Sequence, residues 1–67
     1  MIAVVCKGLP VFDFPIELID PKREHQVVHV PFIVYRGVTY GSGAYVALKR
    51  RGNEFEIENV ALQQHLL

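Results

Sequence analysis

The chain has 67 residues, of which 51% are apolar, and its seven Lys or Arg are balanced by seven Asp or Glu. That length allows one small domain, residues 1–67, and formal neutrality excludes the broad positive field of a dedicated nucleic-acid binder. Cys6 is the single cysteine, so an internal disulfide is excluded.

A domain of this size buries only about 60% of the surface its unfolded chain exposes, and small domains usually compensate with disulfides, metals or oligomerisation. With a disulfide excluded, the apolar excess points to self-association. A lone thiol in an apolar run suits a reducing compartment. No charged segment precedes an apolar leader with a small-residue cleavage site, and no apolar run approaches the roughly 18 residues of a spanning helix. These features predict a soluble, cytoplasmic protein with no membrane partner.

Ile2–Cys6 is uniformly apolar and largely β-branched, the pattern of a strand buried on both faces. Lys7-Gly8-Leu9-Pro10 marks a turn. From Val11 to Ile19 the alternation predicts a half-buried strand with Phe12, Phe14, Ile16 and Leu18 on one face, and Pro15 at an edge or bulge. Asp20-Pro21-Lys22-Arg23 has type I turn chemistry. The run to Tyr35 then predicts a strand with Val28, Val30, Phe32 and Val34 on one face. Val27 and Ile33 fall on the other, with Pro31 again at an edge or bulge. Arg36-Gly37 predicts a tight turn into Val38-Thr39-Tyr40.

The second half reads in two ways. As helix, Ser42 is an N-cap, Ala44, Ala47 and Leu48 share a face, and Gly52 follows the last turn. Lys49, Arg50 and Arg51 then offset the negative helix end. As strands, Tyr45–Arg50 and Glu54–Glu58 form a hairpin about Gly52-Asn53, with basic residues facing glutamates. The two alanines and both caps favour helix for Ser42–Arg51. In the helical reading Asn53 starts a second helix, with Glu56 completing a capping box and Phe55, Leu62 and Leu66 as its stripe. Asn59–Leu66, capped by Asn59, reads as helix either way. The predicted fold is therefore α+β: a three- or four-stranded, mainly antiparallel β-meander followed by one or two short helices. The runner-up is a small all-β barrel with a C-terminal helical turn.

The candidate chemistry is sparse. His25 and His29 have the spacing of ligands on one helix face, but on a strand they stand about 13 Å apart, so no metal is predicted. Cys6 reads as a buried structural thiol, because on a strand Lys7 points away from it. Asp13 and Glu17 lie about 13 Å apart along a strand and make no acid–base pair. Gly41-Ser42-Gly43 lacks the Gly-Lys-Ser/Thr ending of a phosphate loop. No catalytic residue or cofactor emerges, and the chain reads as non-enzymatic.

Two surfaces remain. Arg36, Lys49, Arg50 and Arg51, with Tyr35 and Tyr45, combine phosphate-contacting cations with stacking rings, as nucleic-acid binding requires. The competing explanation is helix capping by the basic residues and ordinary sheet packing by the tyrosines. The other surface is apolar: Val27 and Ile33 on an outer strand face, and Leu62, Leu66 and Leu67 toward the end of the chain. Exposed apolar faces mark interaction sites. The sequence therefore favours a small interaction or regulatory protein, a homodimer or one docking a protein partner. Nucleic-acid binding is the alternative.

Overall fold

The computed structural model describes residues 2–62. They form a five-stranded mixed sheet and a separate two-stranded hairpin, with one 3-10 turn and no α-helix among the described residues. In chain order the strands are β1 (Ala3–Cys6), β2 (Leu9–Pro10), β3 (His25–Val30), β4 (Ile33–Tyr35), β5 (Val38–Tyr40), β6 (Ala44–Arg51) and β7 (Glu54–Ala61). The large sheet has the order β2-β1-β7-β6-β3, and β4-β5 stands apart. β1 runs parallel to β7, with Val4 opposite Phe55, and every other pairing is antiparallel.

This overturns the α+β expectation: the predicted helix Ser42–Arg51 is strand β6. Its burial alternates strictly, with Ala44, Val46 and Leu48 buried and Tyr45, Ala47 and Lys49 half-buried. Alanine on both faces blurred that period-2 signal, and the coincident spacing of Ala44, Ala47 and Leu48 imitated a helix. The basic residues do face glutamates across the hairpin, as Lys49–Glu56 and Arg51–Glu54. The predicted helix from Asn59 fails for another reason. The register slips in β7 beside Ala47 and Leu48, where Leu48 faces Ile57 and Ala47 faces Asn59, leaving Glu58 extra. This bulge shifts the inward parity from Phe55 and Ile57 to Val60. An inward step of three residues reads as helical in sequence. The remainder of that predicted helix, residues 63–66, lies outside the described residues, as does Leu67.

The predicted strand Val11–Ile19 is instead a loop with a 3-10 turn at Ile16–Leu18. Asp13 takes a left-handed backbone, φ 62°, which breaks the extension, and Pro15 opens the turn. Phe14 and Ile19 drop from this loop onto the sheet, while Phe12, Ile16 and Leu18 stay exposed. The Asp20–Arg23 turn forms as read: the Arg23 N–H donates to the Asp20 carbonyl at 3.1 Å, and the Lys22 N–H to Asp20 Oδ1 at 3.0 Å. The predicted long strand to Tyr35 breaks at Pro31 and Phe32. After the break the faces exchange, so Ile33 is buried while Phe32 and Val34 are exposed.

The core lies on one face of the large sheet. Val4, Val28, Val30, Val46, Leu48, Phe55, Ile57 and Val60 meet Phe14 and Ile19 from the loop and Ile33 from the small hairpin. No polar side chain is buried among the described residues. On the opposite face His25, Val27 and Glu58 are exposed, while Val5 is buried and Tyr45, Ala47, Lys49 and Glu56 are half-buried.

Candidate functional site

Two hairpin turns of the same construction frame the most developed concavity. Lys7-Gly8 joins Cys6 to its partner Leu9, and Arg36-Gly37 joins Tyr35 to its partner Val38. Both central residues have positive φ in each turn: 53° and 82° for Lys7-Gly8, 53° and 80° for Arg36-Gly37. These are type I′ turns, whose twist matches that of the flanking strands and whose first position favours Asn, Asp or Gly. A long cationic side chain there is a departure from local preference, at a cost of about 1 kcal/mol for the left-handed backbone.

Between the turns lies a cleft of about 620 Å³. Its walls come from β1, β2, the loop at residues 11–14 and β4, with the buried Phe14 and Ile33 among its lining residues. Four large apolar side chains on its walls are left to solvent: Leu9 at 70% exposure, Phe12 at 80%, Phe32 at 56% and Val34 at 53%. A volume in the range of about 300–1,000 Å³ with apolar walls and few polar groups is the usual form of a binding pocket. The charged residues lining it are Lys7, Asp13 and Arg36, which are also the three non-glycine residues with positive φ among those described. Among the described residues none of the three forms an ion pair or a side-chain hydrogen bond.

The predicted basic cluster is divided by this geometry. Arg36 and Tyr35 line the cleft, whereas Lys49, Arg50 and Arg51 do not. Strand alternation puts Arg50 on the face opposite Lys49 and Arg51. Arg50 is structural: its Nη1 donates to the Pro21 carbonyl at 3.0 Å and its Nε to the Gly52 carbonyl at 3.1 Å, tying the Asp20–Arg23 turn to the β6–β7 hairpin. Arg51 Nε lies 3.6 Å from Glu56 Oε2. Lys49 is half-buried between His25 and Glu56 in the register. Tyr45 stacks on His29 with ring centroids 4.6 Å apart. The two are direct cross-strand partners.

Of the predicted apolar surface, Val27 and Leu62 are exposed, and Ile33 is buried. Val27 and Ile33 therefore do not share an outer face. Ile33 instead contributes to the cleft from within the core. Leu66 and Leu67 lie outside the described residues. The sequence reading missed Lys7, Leu9, Phe12, Phe32 and Val34 as a group. A signal was present in the repeated pattern Cys-Lys-Gly-Leu and Tyr-Arg-Gly-Val, a cation-glycine pair between strand residues.

Cys6 is a free, half-buried thiol that packs against the core and lines the cleft. Among the described residues no group of three His, Cys, Asp or Glu side chains could hold a metal, and no helix is long and apolar enough to cross a membrane. No protein-family model, curated protein or solved structure matches this chain.

Proposed function

We propose that this chain is a small, non-enzymatic interaction protein that self-associates and docks an apolar segment of a partner protein in the cleft between its two cation-tipped hairpins. The observation that carries the reading is the convergence of Leu9, Phe12, Phe32 and Val34 on one concave surface beside Lys7 and Arg36. Concave apolar surface of this kind is uncommon on small monomers without a partner. Burying two phenylalanines supplies the larger part of the binding energy, since aromatic anchors dominate such interfaces.

Charge selects the partner. Lys7 and Arg36 outnumber Asp13 at the rim, so an apolar segment flanked by a carboxylate, from Asp, Glu or a chain terminus, fits better than a cationic one. The cluster Lys49, Arg50 and Arg51 supports nucleic-acid contact less well. Arg50 is engaged by main-chain carbonyls, Arg51 by Glu56, and Arg36 belongs to the cleft.

Peptide-display selection on the immobilised protein tests this reading. The expected result is enrichment of apolar sequences containing an acidic residue or a free carboxyl end, abolished on the Phe12→Asp, Phe32→Asp double variant. Both residues are exposed, so the variant is expected to keep its fold, as circular dichroism would verify. Selection that yields no consensus, or one indifferent to the double substitution, would overturn it.

A further inference from the structure

The two edges of the large sheet are unlike. β2 is only two residues long and contains Pro10, so that edge is protected by its brevity and by a missing donor. β3 is six residues long, contains neither Pro nor Lys, and pairs only with β6 among the described residues. Its free edge can be read residue by residue. The Arg50 N–H donates to the Glu24 carbonyl at 2.7 Å, just beyond the pair His25–Lys49. In an antiparallel ladder, hydrogen-bonded pairs alternate with non-bonded ones. Gln26, Val28 and Val30 therefore direct their main-chain groups to β6, while His25, Val27 and His29 direct theirs outward. Those outward groups find no main-chain partner among the described residues. The side chains of His25, Val27 and His29 are all exposed as well.

We infer that β3 pairs with β3 of a second copy, antiparallel about Val27, joining the two five-stranded sheets into one. The inference rests on the reading of this chain as self-associating, and is independent of the cleft. The row is self-complementary. A two-fold axis at Val27 sets His25 opposite the partner's His29, Val27 opposite the partner's Val27, and His29 opposite the partner's His25. Every outward N–H and carbonyl of these three residues then has a partner, as an isologous interface requires. The charges are compatible. Glu24 falls opposite the partner's Val30 and Arg23 opposite the partner's Pro31, so no like-charged Lys, Arg, Asp or Glu side chains meet. The apolar contact at the axis buries Val27, now 54% exposed between the exposed His25 and His29.

Sedimentation velocity across a concentration series, combined with amide hydrogen exchange, tests this interface. Wild-type protein should shift from monomer to dimer. Exchange at His25, Val27 and His29 should slow at least tenfold over the same range, while Gln26, Val28 and Val30 are slow throughout. Val27→Pro removes an outward donor without touching the β6 ladder, a position where edge strands accept proline. It should raise the dimer dissociation constant at least tenfold. Val27→Lys, which keeps the main chain intact, should do the same with an unchanged circular dichroism spectrum. A dimer that persists in both folded variants would overturn the β3 seam and leave self-association standing. A wild-type chain that stays monomeric to about 1 mM would overturn both.

Discussion

Gly43 carries two demands at once. Its φ is 92°, and a Cβ added there would lie 2.9 Å from His29 Nε2. His29 is exposed and can swing aside by giving up its stack on Tyr45, so the left-handed backbone supplies most of the cost. Gly43→Ala should therefore cost about 1–3 kcal/mol, the range for a left-handed non-glycine residue. Urea unfolding measures it, and a loss below about 0.5 kcal/mol would show that the strand entry relaxes freely. Lys7 and Arg36 make the opposite case. Replacing each with Asn supplies the residue that a type I′ turn prefers, so Lys7→Asn and Arg36→Asn should each raise stability by about 0.5–1 kcal/mol. The same changes should weaken binding of an acidic apolar peptide. If stability rises and binding is unmoved, the cations have no part in recognition. The sequence displayed both Lys-Gly and Arg-Gly turns, and the second was read as a tight turn. Their meeting around one cleft was not legible, because it depends on how the small hairpin docks through Ile33, Tyr35 and Tyr40.

Two kinds of strand escaped the sequence: β6, whose alternation is regular but blurred by alanine on both faces, and β7, whose parity breaks. Ile2–Cys6 and β3 follow the expected apolar run and alternation, and Val38–Tyr40 is a strand as read. β7 conceals its identity because Glu58 is an extra residue between the inward pairs Ile57–Leu48 and Val60–Val46. This makes a test at the level of the element. Deleting Glu58 removes the bulge and keeps every inward residue inward, so the variant should fold, within about 1 kcal/mol of wild type. Deleting Glu56 places Phe55 and Ile57 on opposite faces and should abolish folding. Circular dichroism and thermal melts distinguish the two. A folded Glu56 deletion, or an unfolded Glu58 deletion, would contradict the bulged register of β7 on β6. The Asn59 side chain, whose Oδ1 accepts the Val60 N–H at 3.0 Å, marks the bulge locally.

For the whole molecule the margin is narrow. A 67-residue chain at roughly 0.05–0.15 kcal/mol per residue has about 3–10 kcal/mol of stability. Leu48 is 1% exposed and sits at the centre of β6, between β3 and β7. Leu48→Ala should cost about 2–5 kcal/mol and leave a large unfolded fraction at physiological temperature. A melting temperature within a few degrees of wild type would contradict so small a core. Composition foretold this shortage of interior and the surplus of apolar surface. It could not foretell that β1 pairs in parallel with β7, because that contact joins the two ends of the described chain.

Four exposed large apolar side chains, Leu9, Phe12, Phe32 and Val34, line one cleft, and a heteronuclear NMR titration of the wild-type protein with a selected acidic, apolar peptide tests it as the working surface most directly. Saturable amide shifts should be confined to residues 6–14 and 32–36, with the β6–β7 hairpin unperturbed. Shifts centred instead on Lys49–Arg51, or spread without saturation, would contradict the cleft as the working surface.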